Sequence, residues 1–461
     1  MIAFFITFFG AVVLLFIGLN KRESSFSIFA SGILFLSAFL CVATKFGWCN
    51  FGILESWVPT NMMQFGSEQL LFMGLLSFLT GFIILCFRES DIIGNDQLAL
   101  MMFSLCGAYM MVSYQHIVVL FLGIEVLSIP LYVLAGSNKE NIYSNEAALK
   151  YFLMGAFSTG IFLLGSAFIY GGTGYLELEL MGIKPSFMHA LEGMPIPVLI
   201  NAGIILMSVG LLFKVSAAPF HFWAPDVYQG SPNRTTVFMA TVVKISAFIA
   251  LYRLMSTFGG IKSNWSGWIS VLAIITILWG NLAAMIQQNV KRTLAYSSIA
   301  HAGYVLIFIL IADGTNAWIL WFYGLAYGIA SILVFTISHQ LYNTNKDDTF
   351  EAFNGLAKSS PIVALALVIG VLSLAGIPIS AGFVGKFYLF SFAWQSYPIL
   401  VCTGLLGSAL GVAYYFKFIK HAFLKVGEKS PVIKDRGILI FLVLIILMAG
   451  VFPWILLRTF F

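Results

Sequence analysis

Charge is what this sequence has least of. Only 9% of its 461 residues are Asp, Glu, Lys or Arg, against about 25% in soluble domains. With 60% hydrophobic residues and a mean hydropathy of +0.96, that excludes a soluble enzyme and exceeds what one or two membrane anchors need. Cysteine is scarce as well. Cys41, Cys49, Cys86, Cys106 and Cys402 form no CxxC pair, which argues against zinc or iron–sulfur ligation in this chain. Nucleotide motifs fail on inspection. The GFVGKF stretch at Gly382–Phe387 has Ser380 where a phosphate loop needs its first glycine and Phe387 where it needs Ser or Thr. GGTGYL at Gly171–Leu176 is not GxGxxG and has no βαβ unit to carry it. The net charge of +5 is spread over short loops rather than a stripe, so nucleic acid is not a partner. No basic segment precedes the apolar residues 2–19, so they read as a first span rather than a cleaved signal.

What is there is apolar length. A helical span needs about 20 residues, and fourteen stretches qualify: 2–19, 26–46, 69–87, 97–113, 117–136, 147–171, 197–219, 235–256, 265–286, 295–312, 317–341, 361–396, 399–423 and 437–457. The stretch 361–396 is too long for one straight crossing and is interrupted at Gly376-Ile377-Pro378, Gly382 and Gly385. It reads as one broken helix; a hairpin of two helices is the alternative. Basic residues decide between them, because they favour cytoplasmic loops. The loops after spans 1, 3, 5, 7, 9, 11 and 13 hold Lys21, Arg22, Arg88, Lys139, Arg234, Lys291, Arg292, Lys346, Lys358, Lys425, Lys429, Lys434 and Arg436. The opposite loops hold Lys45, Lys184, Lys262 and Arg458. The bias keeps its sign on both sides of 361–396, which favours one broken helix and both termini on the periplasmic side. The outward loops 47–67 and 172–196 are expected to pack as caps.

Two spans carry a lysine beside a proline break: Lys214 with Pro219 in span 7, and Lys386 with Pro378 in span 12. Span 12 is the fifth after span 7, an odd step, so the two units run in opposite senses across the membrane. Discontinuous helices at matching places in inverted halves point to a transport site. The expected fold is an all-α polytopic membrane protein of about fourteen transmembrane helices, with two inverted five-helix repeats and broken helices 7 and 12. The expected segments are 1–96, 97–256, 265–425 and 437–461.

A charged side chain at membrane depth is costly unless it faces a partner or water. Lys244 lies about nine residues into span 8, roughly 14 Å at 1.5 Å per residue, and Lys214 and Lys386 flank the breaks. The plain alternative for all three is a buried structural ion pair. Glu125, about eight residues into span 5, is the one acid deep in the spans. Opposite buried charges keep each other ionised, so a Glu125–Lys214 pair would act as a proton switch if it separates; a static bridge is the alternative. His301 in span 10 titrates near neutral pH as a free side chain and is a candidate relay between Lys244 and Lys386. Weaker candidates are His339, His221 and the hydroxyls of Ser216, Ser297, Ser298, Ser380, Tyr304 and Tyr323. Lys150, Arg253, Lys417 and Lys420 lie near span ends, where long side chains reach the interface, and Lys150 is the least clearly peripheral of them.

The stretches KVSAAPFHFWAPDVYQGSP at 214–232, LGIEVLSIPLYVL at 122–134, NVKRTLAYSSIAHAGY at 289–304 and LAGIPISAGFVGKFYLF at 374–390 resemble the antiporter-like membrane subunits of respiratory complex I (NADH-quinone oxidoreductase). That family also includes subunits of multisubunit cation/proton antiporters and membrane-bound hydrogenases. By position, the resemblance implies that Glu125, Lys214, Lys244 and Lys386 are the charged residues of the proton path, with His301 between the last two. Chain length, Lys386 and Lys150 resemble the subunit N branch. The resemblance implies proton translocation driven by quinone reduction elsewhere. NADH, FMN, iron–sulfur clusters and quinone would be bound by other subunits, and this chain would bind no cofactor. Membrane-arm subunits M and K would be neighbours, in a bacterial inner membrane with internal waters along the path. An antiporter or hydrogenase subunit and a structural scaffold of the membrane arm are the other readings.

Overall fold

The computed structural model describes residues 1–18, 25–49, 61–88, 94–183, 196–345, 347–426 and 436–460. Lys21, Arg22, Lys184, Lys346, Lys429 and Lys434, which entered the charge comparison, lie outside them, as do parts of both outward loops. Among the described residues the chain is helical with no strand, only three isolated bridges.

Every apolar stretch is a helix. In order these are α1 Ile2–Gly18, α2 Ser25–Lys45, α3 Ser67–Cys86, α4 Asn95–Ser113, α5 Ile117–Ala135 and α6 Ile142–Thr173. Then come α7a Ile196–Lys214 and α7b Trp223–Gly230, and α8, built from Asn233–Phe238, a π-helical turn Met239–Val243 and Lys244–Thr257. The second half holds α9 Lys262–Ile286, α10 Val290–Ile311, α11 Ala317–Asn345, α12a Pro361–Ala375, α12b Ala381–Ala393 and α13 Pro398–Leu424. Last is α14, in two parts, Arg436–Val451 and Pro453–Phe460. Among the described residues, ten helices are long and apolar enough to cross a membrane alone. The shorter apolar ones are α1, α7a, α12a, α12b and the first part of α14.

Helix α6 starts at 142 rather than 147 because Asn141 caps it, accepting from the Tyr143 N–H. At its far end Gly174 takes φ 75° and closes the last turn onto Tyr170, a left-handed stop open to glycine. The break in α7 begins at Lys214, five residues before the proline expected to cause it. The Pro219 ring lacks an N–H and crowds the carbonyl four residues back, at Val215, so the disturbance runs toward the N-terminus.

Helices α3, α8, α10 and α11 are buried on nearly all sides, whereas α2, α6, α9 and α13 keep large outer faces exposed. Lys244 and His301 therefore sit on the innermost helices.

The two five-helix units repeat each other in detail. Helix α4 packs on α5 as α9 packs on α10, and α6 on α7a as α11 on α12a. Both first pairs meet at glycine. A Cβ on Gly107 would stand 2.2 Å from the Leu127 nitrogen, and one on Gly280 would stand 2.5 Å from the Ala300 nitrogen. The turn before α5 pairs through His116 with Glu177 after α6, and the turn before α10 pairs through Asn289 with Thr349 after α11. A cation closes the same corner in each unit. Arg253 of α8 donates to the Val112 carbonyl at the end of α4, and Lys417 of α13 donates to Met285 and Gln287 at the end of α9. These two were expected to reach the interface; instead they satisfy helix-end carbonyls that have no partner of their own. Arg234 and Lys291, grouped with the loops, are buried first-turn residues of α8 and α10. Arg234 donates to Gln97, and Lys291 to the Gln229 and Ser231 carbonyls.

A line of buried cations through two helix breaks

At the first break the chain leaves α7a after Lys214, passes Ser216 at φ 59° and a cis Ala218–Pro219 bond, and re-enters helix at Trp223. Side chains take up the freed backbone groups. The Ala218 N–H donates to Thr276 and the Trp223 indole to the Phe213 carbonyl. Lys214 is 1% exposed. Its amine donates to the Ser128 hydroxyl at 2.7 Å and lies within 5.8 Å of the Tyr132, Tyr151 and Phe213 rings. Ser128 in turn donates to the Ile124 carbonyl. An aromatic cage of this kind favours a cation when water is excluded.

Glu125 is not in direct contact with Lys214, contrary to the expected pair. The two interact electrostatically, but no ion pair joins them. The reason is helix geometry. Ser128 and Glu125 are one turn apart on α5, and Ser128 occupies the position facing Lys214. Glu125 is half-buried beside the exposed stripe of Leu122, Val126, Ile129 and Val133. The acid therefore sits at the rim of the chain, and the Ser128 hydroxyl rather than the Glu125 carboxylate takes the hydrogen bond of the lysine.

The π-turn Met239–Val243 immediately precedes Lys244. Such turns rotate the following side chains relative to a regular helix and recur at functional sites. The Lys244 amine donates to the Ser298 carbonyl at 3.1 Å and lies 6.0 Å from the Tyr228 ring. His301 follows Ser298 by one turn of α10. Its Nδ1 is 2.7 Å from the Tyr323 hydroxyl and its Nε2 3.3 Å from that of Tyr415. Both Lys244 and Lys386 act electrostatically on it.

At the second break α12a ends on Gly376 at φ 83°, and Ser380 caps α12b by accepting from the Phe383 N–H. Lys386 is 6% exposed. It donates to the Leu374 and Ala375 carbonyls at 3.1 and 2.9 Å, and its amine lies 4.8 Å from the Tyr304 ring. Those carbonyls are unpaired ends of α12a and the negative pole of its dipole. A Cβ on Gly376 would fall 2.8 Å from Lys386 Cδ.

The structure thus brings Lys244, His301 and Lys386 together through α10 and sets Lys214 beside Ser128 at the first break. Lys150 belongs elsewhere. It is 40% exposed and bonds Glu146 at 2.6 Å and Asp226 at 2.7 Å, while Arg292 holds the other oxygen of Asp226 at 2.8 Å. This cluster fastens α7b to α6 and α10. His339 meets Asn233 at the start of α8 and Asn343 of α11, and His221 lies against Phe222 and Trp279. Sequence reasoning passed over Ser128, Tyr132, Asp226, Asn281 and Tyr415. Only Ser128 carried a signal, its one-turn spacing from Glu125. Among the described residues, no cluster of His, Cys, Asp and Glu has metal-binding geometry.

The chain is similar in sequence and fold to known proteins. A family profile described as "NADH:quinone oxidoreductase/Mrp antiporter, TM" matches residues 115–411. The NADH-quinone oxidoreductase subunit N of Cytophaga hutchinsonii is 39% identical over 86% of this chain and 87% of its own length. That of Flavobacterium johnsoniae is 36% identical over 97% of both. A chain of respiratory complex I from Thermus thermophilus superposes with a TM-score of 0.80 at 30% identity, covering 99% of this chain and 98% of that one. With both helix breaks and the buried cations inside the matched region, the chain belongs to the NADH-quinone oxidoreductase subunit N family of antiporter-like membrane proteins.

Proposed function

We propose that this chain is a proton-translocating membrane-arm subunit of a bacterial NADH-quinone oxidoreductase, with the chemistry of NADH and quinone carried by other subunits. The observation that supports it is the line Lys214, Lys244, His301 and Lys386, four titratable groups buried at helix breaks and inner helices where a structural role would call for apolar residues. Each cation is held by hydroxyls, carbonyls or aromatic faces, and none by a contacting carboxylate. Such groups can lose a proton without leaving an uncompensated buried acid.

The acid that biases the line is Glu125, one turn from Ser128 and at the chain's rim. A change in its charge or position, imposed by a neighbour, alters how tightly Lys214 holds its proton, and Lys244, His301 and Lys386 pass the change along. Membrane-arm subunits M and K are the proposed neighbours. The scale is sufficient. Moving one charge against ~100 mV costs about 2.3 kcal/mol, fewer than two tenfold changes in proton affinity at about 1.4 kcal/mol each. The same reading places the protein in a bacterial inner membrane with both termini periplasmic. It assigns 97–256 and 265–425 as the inverted repeats, 1–96 as the flanking first helices, and 437–461 as the closing helix. It also holds that no redox group is bound by this chain.

The test is proton pumping by the complete complex reconstituted in liposomes. Lys214→Ala and Glu125→Ala should assemble and lose most of their pumping. Normal assembly with full pumping in both would leave the chain a scaffold.

A further inference from the structure

The loops opposite the basic ones hold four cations, Lys45, Lys184, Lys262 and Arg458. The first and last of these meet at one groove. Helix α2 packs on α1 and α3, whereas α14 packs on α11, α12a and α12b. The outer ends of α2 and α14 flank a groove of about 830 Å³, within the ~300–1,000 Å³ of small-ligand sites. Its wall includes Lys45, the last residue of α2, and Glu68 in the first turn of α3. It also includes Trp318 in the first turn of α11, Tyr388 of α12b, and Trp454 and Arg458 of α14. Lys45, Glu68, Trp318 and Arg458 stand at helix ends, so the groove lies where these helices leave the membrane.

The composition is that of a membrane interface. Trp and Tyr settle at headgroup level, and clustered Lys and Arg there receive phosphate head groups. Trp318 and Tyr388 meet edge to face at 4.9 Å, and Trp454 is 51% exposed. The Lys45 amine lies 5.7 Å from the Phe46 ring. Among the described residues no hydrogen bond or ion pair reaches the Glu68 carboxylate or the Arg458 guanidinium. Arg253 acts on Glu68 electrostatically from a neighbouring groove, but it is bonded to the Val112 carbonyl and lies over the Tyr114 ring. Two cations and one carboxylate on the same wall match a headgroup carrying both signs. The carboxylate accepts hydrogen bonds from a primary ammonium and repels a headgroup that is only anionic.

The depth below the groove also fits a lipid. Phe82 of α3 meets Phe35 of α2 at 5.0 Å and Phe441 of α14 at 5.7 Å, closing the gap between the two outer helices. Phe35 precedes Lys45 by ten residues, about 15 Å along a helix. That is half of a ~30 Å hydrocarbon core, the depth of one leaflet.

We propose that the outer groove between α2 and α14 binds one phospholipid with a primary-ammonium headgroup. Lys45 and Arg458 receive its phosphate, Glu68 receives its ammonium, and its acyl chains fill the gap down to the three phenylalanines. The lipid then ties the last helix of the chain to the second, which otherwise belong to different packing groups.

The test is photolabelling of the complete complex in nanodiscs of mixed phosphatidylethanolamine, phosphatidylglycerol and phosphatidylcholine. One lipid at a time carries a diazirine near the start of an acyl chain, and labelled peptides are read by mass spectrometry. Phosphatidylethanolamine should label the outer halves of α2 and α14 about fivefold more than either other lipid, the factor set by one net hydrogen bond. Lys45→Gln with Arg458→Gln should lower that label by more than about tenfold, because each removes a bond from a charged donor. Glu68→Gln should leave the label and erase the preference over phosphatidylcholine. Equal labelling by the three lipids in the native complex overturns the proposal. So does an absence of label on α2 and α14 while other helices of the complex are labelled, or an unchanged label in the double variant. Loss of the label on adding inorganic phosphate assigns the groove to free anions, and cross-links from α2 and α14 to a neighbouring subunit across the groove assign it to a protein; either result overturns the lipid. The native measurement decides even if the variants fail to assemble.

Discussion

The two helix breaks carry the same residue type and treat it differently. At the α7 break Lys214 is the last residue of the first half-helix and turns away from it, into side chains: the Ser128 hydroxyl and three aromatic rings. An acid stands one turn off, at the rim. At the α12 break Lys386 belongs to the second half-helix and reaches back to the bare carbonyls of the first. Backbone carbonyls cannot move far without unwinding a helix. Side chains can rotate, and Glu125 borders a face where another subunit can reach it. Under the proposed function, the first break is the one whose charge is adjusted, and the second offers a fixed affinity. The sequence motifs of the two breaks look alike, and only the direction of each lysine separates them.

This comparison can be broken by substitution. The largest contrast is expected from removing each amine. Lys386→Met leaves two buried carbonyls unpaired, and losing hydrogen bonds to a charged group costs about 1.5–3 kcal/mol each, so thermal melting of the assembled complex should drop clearly. Lys214→Met strands only two hydroxyls, of Ser128, which keeps its bond to Ile124, and of Tyr132, so it should abolish pumping with little change in melting. Equal melting losses at the two sites would erase the distinction. Next comes Gly376→Ala. Left-handed backbone costs an alanine about 1–2 kcal/mol, and the new methyl presses on Lys386 Cδ, so pumping should fall several-fold in complexes that still assemble. Ser216→Gly is expected to work the other way at the first break, relieving φ 59° and raising melting stability by about 1 kcal/mol or less. A comparably small effect is expected from Ser128→Ala. It removes the hydroxyl that accepts from Lys214, a net hydrogen bond of about 1 kcal/mol, and should lower pumping a few-fold without affecting assembly.

How much of this was legible beforehand follows from what local sequence can encode. Apolar length marked the long helices, since each span must satisfy its own backbone and needs no distant partner, but not the short helices Leu178–Ile183, Trp223–Gly230 and Leu356–Ser359. The Pro219 and Pro378 breaks were visible for the same reason, although the first begins earlier than its proline because the steric effect runs back along the helix. Buried lysines were legible by cost. Their partners were not. Ser128 intercepting Lys214 ahead of Glu125 depends on the rotation of α5 against α7a, and a one-turn spacing fixes that only to within a face. Lys150 read as lying near a span end and entered the site through the resemblance, and the sharing of Asp226 between it and Arg292 required α6, α7b and α10 to meet. Tyr415 and Asn281 were invisible because polar residues on α13 and α9 read as ordinary outer-face residues until Gly407 and Gly411 bring the helices into contact. Arg253 and Lys417 were misjudged for a related reason: the carbonyls they close belong to helices more than a hundred residues away in sequence.

The central claim is that protons cross on the buried cations and that Lys244 joins the two breaks. Its most direct test is the number of protons pumped per NADH oxidised by the complete complex carrying Lys244→Met, reconstituted in sealed liposomes, with quinone reduction followed in the same vesicles. The account predicts an assembled complex whose pumped protons per NADH fall well below those of the native complex. An unchanged ratio at normal assembly would contradict it.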